Sequence, residues 1–202
     1  MESPLPQAAT YLSAAGSFRE LLSRVPADAW DRPGLDPWTV RTLAGHTSRA
    51  LVTVLTYLDR PADRVEVEST AAYYSSLEFS NAPEVNTRAV QAGADLGTDP
   101  VAAVDALLAR LQQRLPQETD RAIVTIAGAM RLSDYLPTRT FELAVHSLDL
   151  AAACGLEVSL PPEVERAAAE LAVQVAVRRG EGVPVLLALT GRAPLPAGYS
   201  VV

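Results

Sequence analysis

The chain has no lysine: all 17 of its basic residues are arginine. That removes Schiff-base chemistry, a lysine general base and a lysine phosphate anchor. Cysteine is nearly absent as well. The single thiol, Cys154, excludes an intrachain disulfide framework and a four-cysteine zinc site. It sits among alanines near the expected end of a helix, where a small buried residue is the plain reading and nothing nearby argues for an activated nucleophile. Aromatic residues make up 5% of the sequence, so Leu, Val and Ala must fill the core. Positive charge is outweighed, the net charge being -7, which gives no support to nucleic-acid binding. No uninterrupted apolar run reaches the length of a membrane span, and the first residues lack the basic and apolar regions of a signal peptide. A cytoplasmic protein is the expectation, and the alanine-rich, lysine-free usage suggests a high-GC bacterial genome.

What the sequence does have is apolar mass. With 49% hydrophobic residues in 202, it can build one sizeable core. Leu12, Ala15, Phe18, Leu22 and Val25 recur at helical steps and predict a first helix over about Leu5 to Val25. A Pro-, Gly- and Asp-rich loop follows, and Asp36 before Pro37 reads as the cap of a second helix over Pro37 to Asp59, with Leu43, Ala50, Val54 and Leu58 as its stripe. RVEVEST alternates like a short strand. The next segments, AAYYSSLEF and APEVNTRAVQAGADL, read as helix broken near Ser80 to Pro83. Thr98-Asp99-Pro100 opens a regular helix that Pro116 stops. RAIVTIAG is a short apolar segment, and a helix from about Leu136 to Cys154 ends at Gly155, placed for a left-handed cap. Pro161-Pro162-Glu163 starts another helix to about Arg179. The tail, GVPVLLALTGRAPLPAGY, is an apolar run and a proline-rich arm. Four to six helices with short connections make an all-α bundle spanning 1–156, with residues 157–202 as a C-terminal helix and tail packed on it.

Both histidines of the chain, His46 and His146, fall inside predicted helices. On the fifth helix Glu142, His146 and Asp149 share one arc, and the small residues Thr140, Ala144, Ser147 and Ala151 fill another. The small arc is the outward or closely packed side, so the polar arc faces the interior. Glu142 and His146, four residues apart, can converge on one ion. His46 lies at the margin of its own apolar stripe and can turn to the same interior. Two histidines and a carboxylate from two helices would supply three ligands and leave an open position, as catalytic zinc sites do. A hydrogen bond between His46 and Asp149, or between His146 and Glu142, that merely satisfies buried polar groups is the competing reading.

DPWTVRTLAGHTSRALVTVLTYL and YLPTRTFELAVHSLDLAAACG, in that order, resemble the mycothiol-dependent maleylpyruvate isomerase family, part of the wider DinB-like group. The resemblance covers most of residues 5–156. It implies a DinB-like four-helix bundle holding a divalent metal, zinc first with nickel or manganese as alternatives, through His46, Glu142 and His146. It implies mycothiol, the low-molecular-weight thiol of actinobacteria, as cosubstrate, and a small electrophile as its target. Asp149 then orients His46 or His146 through the nitrogen not on the metal, or plays a solvent-side or packing role. Arg139 pairs with a substrate carboxylate, or forms a salt bridge to Glu142 or a surface acid. Trp38 is expected as a core plug or staple at a helix start. The segment after Leu156 is shorter than the separate C-terminal domain of the isomerase, so thiol transfer or an unassigned activity is expected ahead of maleylpyruvate isomerisation. Arg192, within the closing Gly191-Arg192 pair, receives no role. A metal-dependent hydrolase and a non-catalytic binding bundle are the alternatives. A homodimer is the default assembly, although no residue specifies it.

Overall fold

The computed structural model describes residues 5–77 and 82–201, and among them the chain is mostly helical. Four helices close a ring: α1 (Pro6–Leu22) packs on α6 (Leu132–Cys154), α6 on α2 (Val40–Leu58), α2 on α5 (Pro100–Arg114), and α5 back on α1. This is an all-α, DinB-like four-helix bundle. Two helices cover its flanks. α3 (Thr70–Ser76) lies against α6, and α4 (Ala82–Asp95) lies along α2. α7 (Pro162–Arg178) packs on α6, α1 and α3, and carries α8 (Gly182–Leu189). The described residues thus hold eight α-helices, more than the four to six expected: the middle segment, read as one broken helix, gives both α3 and α4, and the apolar run of the tail forms α8. The predicted break near Ser80 to Pro83 falls largely outside the described residues; α3 and α4 stand on either side of it.

The core matches the composition. Leu21, Leu22, Leu43, Leu51, Leu58 and Leu111 are fully buried, and Tyr11, Phe18 and Tyr135 provide the few large rings. Tyr11 solves the problem of its hydroxyl by donating to the Ala50 carbonyl at 3.0 Å. Thr140, Ala144, Ser147 and Ala151 are all buried, which makes the small-residue arc of α6 its closely packed side and not an outward one. Leu148 is the apolar residue that turns outward instead, at 46% exposure.

Two helix starts differ from expectation for a local reason. α2 begins at Val40, not Pro37, with the Thr39 hydroxyl accepting from Thr42 N–H at 3.2 Å. Residues 33–39 are held in a tight turn, where Gly34 N–H donates to Trp38 O and Trp38 N–H to Leu35 O, so the chain cannot be helical before Thr39. α6 begins at Leu132, a turn earlier than Leu136. Its cap comes from outside the helix: the Asp120 carboxylate accepts from both the backbone N–H and the hydroxyl of Ser133, each at 3.0 Å. Its other end is as read, with Gly155 at φ 64° in the left-handed region.

RAIVTIAG is not merely an apolar segment. It supplies β1 (Ala122–Thr125) and the turn of an antiparallel hairpin with β2 (Gly128–Arg131), in register Ala122 to Arg131, with Ile123 and Met130 buried beneath. RVEVEST forms no strand of its own. Its Glu66 and Val67 N–H groups both donate to Ala129 O, so its alternation fits it to the rim of the hairpin.

Helix α4 approaches α2 backbone to backbone. A Cβ at Gly45 would stand 2.1 Å from Gly93 N and 2.4 Å from Gly93 Cα, so neither side chain nor backbone can yield there. Gly45→Ala is therefore expected to destabilise the protein by at least ~1–3 kcal/mol, the usual cost of overpacking. Gly16, inside α1 with nothing within 4 Å of its would-be Cβ, gives the opposite sign: Gly16→Ala should stabilise by roughly 0.5–1 kcal/mol. Urea denaturation midpoints of the two variants check both.

Candidate metal centre

Three side chains meet where α2 crosses α6. His46 comes from the first turns of α2, and Glu142 and His146 from successive turns of α6. Their donor atoms all lie within 4.8 Å of one another. The His46 and His146 rings stand edge to face, with centroids 4.8 Å apart, and His146 Nε2 is 3.4 Å from Glu142 Oε2. A tetrahedral ion about 2.0–2.2 Å from each ligand sets its donors roughly 3.3–3.6 Å apart, so the three side chains draw in by up to a little over ~1 Å to hold one.

Each ligand candidate is held from behind. Asp149 Oδ2 lies 3.0 Å from His146 Nδ1, so Asp149 engages His146 and not His46, which leaves His146 Nε2 directed at Glu142. The Tyr74 hydroxyl, from α3, lies 3.2 Å from both Glu142 Oε1 and the Thr138 carbonyl. Trp38 tilts over the His46 ring with centroids 4.5 Å apart, while its indole N–H donates to Asn86 Oδ1 on α4 at 2.9 Å. It packs against the core as a plug would, and it also walls one side of His46. Tyr74 is the contact that sequence reasoning missed. It comes from a different helix, so no spacing within α6 could signal it.

Electrostatics separates the two imidazoles. Burial, followed by the nearby His146 charge, pushes His46 down to about 4, so it is neutral near pH 7. Burial would also lower His146, but the hydrogen bonds to Asp149 and Glu142 outweigh it and raise it to about 9. For Glu142 burial works upward, yet the His146 hydrogen bond and the Arg139 charge bring it down to about 2. An ionised carboxylate and a neutral imidazole are both in ligand form; His146 must surrender its proton to a metal.

The donor set fits a divalent ion. Two imidazoles and one carboxylate are borderline nitrogen and oxygen ligands suited to zinc, nickel or manganese. The fit is strengthened by His46 Nδ1, which is buried and has no hydrogen-bond partner among the described residues. A purely structural histidine would have one.

Arg139 lies one turn before Glu142 and is 9% exposed. It makes no salt bridge to Glu142 or to any described acid. Its Nε donates to Thr138 Oγ1 at 2.9 Å, and its Cζ stands 5.1 Å from the centroids of both Tyr73 and Tyr135. Cys154 is half-buried with its thiol pushed up by burial, the opposite of activation.

With two histidines in the chain, a proton NMR titration of metal-free protein reads each separately. His146 is expected to titrate near 9 and His46 near 4. The signs follow for stability. His146, raised above its unfolded value, stabilises the fold fully below about pH 6.5 and loses that contribution as pH rises through about 9. His46, lowered, costs stability as pH falls from about 6.5 toward 4. Asp149→Asn should lower the His146 midpoint and flatten the alkaline loss of stability measured by urea denaturation; an unmoved midpoint would refute the Asp149 contact.

Neither a curated protein nor a solved structure matches the chain. A family model does match, over residues 11–151: the mycothiol maleylpyruvate isomerase N-terminal domain. The match runs from α1 into the last turns of α6 and so includes every residue of the cluster. A helix bundle whose α2 and α6 join two histidines and a glutamate, matched by that model over well more than half its length, belongs to the mycothiol maleylpyruvate isomerase N-terminal domain family.

Proposed function

We propose that the protein is a metalloenzyme in which His46, Glu142 and His146 hold one divalent ion, zinc ahead of nickel or manganese, and that it joins mycothiol to a small electrophile. The observation that carries this reading is the convergence of the three donors from two helices at the α2–α6 crossing. Three protein ligands leave room for an external one. When bound, such an ion supplies Lewis acidity that lowers the pKa of a thiol ligand.

The chain's own residues have distinct tasks in this scheme. Glu142 brings the one negative charge among the ligands, and Tyr74 fixes which way its carboxylate faces. Asp149 holds His146 by Nδ1 and accepts its proton's charge there, keeping Nε2 for the ligand role. His46 arrives neutral, because its burial among positive charge disfavours protonation. Arg139 lies one turn before Glu142, its terminal nitrogens without a hydrogen bond among the described residues, and is assigned to the substrate. Whether the product keeps the thioether, as in transfer, or expels the thiol after bond rotation, as in isomerisation, depends on the electrophile. Transfer is preferred.

Metal analysis by inductively coupled plasma mass spectrometry tests the ligand set. Wild-type protein should carry about one divalent ion per chain, and Glu142→Ala and His146→Ala, while folded, should carry at most about a tenth of that, as loss of a direct ligand requires. Cobalt-substituted protein then tests the thiol: mycothiol should produce a thiolate charge-transfer band where glutathione gives a weaker one. Wild-type protein that stays metal-free after incubation with zinc, nickel and manganese would overturn the metalloenzyme reading.

A further inference from the structure

Six of the large apolar side chains that the protein leaves exposed fall within residues 173–189: Val173 and Val177 on α7, and Val183, Leu186, Leu187 and Leu189 on α8. Val177, Val183, Leu186 and Leu189 are the most exposed of their kind among the described residues, at 60–72%. Elsewhere such residues are scattered, as Val52, Val90 and Leu148 are. Here five of the six line one open groove of about 500 Å³ between the two helices, and no charged or polar side chain lines it with them. Apolar surface gathered in this way is normally covered by something. The face lies outside residues 11–151, so it is no part of what the family model matches.

Helix α8 shows the need most plainly. An eight-residue helix is too short to persist in water on its own propensity and depends on the side chains it buries. Of its residues only Val185 is buried. The turn before it is secured, with Glu181 N–H donating to Ala176 O at 2.8 Å, so α8 is fixed to α7 on one side and bare on the other. The arm that follows does not cover it. That arm turns back to the start of α8, where Tyr199 donates to Glu181 Oε2 at 3.0 Å and Arg179 Nη1 to Ser200 O at 3.5 Å, and nothing beyond Leu189 lines the groove.

Charge points to the occupant. Residues 171–177 and 182–191 contain no ionisable side chain, in a protein of net charge -7. Two copies of so acidic a chain repel over most of their surfaces and meet at least cost through an uncharged one. The edges of the face carry opposite signs. Glu170 and Arg178 are both exposed on α7, each four residues from Gln174, and neither forms an ion pair among the described residues. Antiparallel pairing of α7 with its own copy about Gln174 sets Glu170 against Arg178 of the partner subunit, and symmetry makes that contact twice. An anionic lipid surface would call for basic residues of one sign around the patch, which Glu170 and Glu181 contradict.

We propose that the uncharged face of α7 and α8 is the interface of a two-fold homodimer, in which α7 runs antiparallel to its copy about Gln174 and α8 buries Leu186 and Leu189 against the second chain. The interface is isologous, so one patch serves both subunits. Two short helices a side place it at the small end of specific interfaces, about 1,200 Å² in total, and the association is accordingly micromolar. None of this depends on the triad or on a metal.

Sedimentation equilibrium of the full chain over about 1–200 μM tests it. The mass should rise with concentration from 21.5 kDa toward twice that value. Leu186→Glu and Leu189→Glu should each weaken association about tenfold or more, since each places a charge in the apolar centre of the contact. Both residues are exposed in the single chain, so the far-ultraviolet circular dichroism of the variants should match wild type. Leu148→Glu, at an exposed leucine of α6 away from the face, should leave association unchanged. Glu170→Arg and Arg178→Glu should each weaken it by setting like charges together, and the two combined should restore it to within about threefold of wild type. A chain that stays monomeric throughout, a dimer indifferent to Leu186→Glu and Leu189→Glu, a double reversal no stronger than its singles, or a monomer that binds phosphatidylglycerol vesicles through these leucines would each overturn the proposal.

Discussion

Charge withdrawn from water at the α2–α6 crossing has to be answered on the spot, and the arrangement of this end of the bundle follows from that demand. Four ionisable residues, Arg139, Glu142, His146 and Asp149, occupy successive turns of one face of α6. Left alone, each would cost several kcal/mol to bury. His146 meets the cost by standing between two carboxylates, Glu142 through Tyr74 and His146, and Arg139 through two tyrosine faces and the Thr138 hydroxyl. The aromatic residues of this aromatic-poor chain are concentrated accordingly: Tyr73, Tyr74, Tyr135 and Phe141 touch one another around these charges.

The groups left unanswered divide into two kinds. Around His46, with its orphaned Nδ1, and Glu142, with a carboxylate held low, the site attracts positive charge. Arg139, buried and without an acid paired to it among the described residues, is the positive counterpart. The two kinds lie about one helical turn apart on α6, Arg139 preceding Glu142.

How much of this was legible in the sequence depended on whether the determinant lay within one helix. The ExxxH pair of Glu142 and His146, the phase of His46 against Leu43 and Ala50, the Asp99-Pro100 start and the Gly155 stop are all local patterns, and each was read from local spacing. The starts of α2 and α6 were not, because the first is set by a hydrogen-bonded turn and the second by a cap donated from Asp120, beyond the hairpin. Glu66 and Val67 look like a strand because they attach to a hairpin rim, a partner that alternation cannot name. Tyr74 stayed silent for the same reason at a larger scale. It matters through convergence between helices, and periodicity within one helix carries no information about its neighbour.

The contact of Gly45 with Gly93 has a consequence for how such a site can diversify. Where two helices touch through side chains, substitution slides them and reshapes whatever lies between. Here they touch through bare backbone one residue from His46, so the spacing of α2 and α4 has no adjustable padding. Descendants of this sequence can exchange the side chains that α4 presents, Asn86 against Trp38 among them, without shifting the helix that bears them. The glycine pair would act as a fixed datum against which only the fittings change.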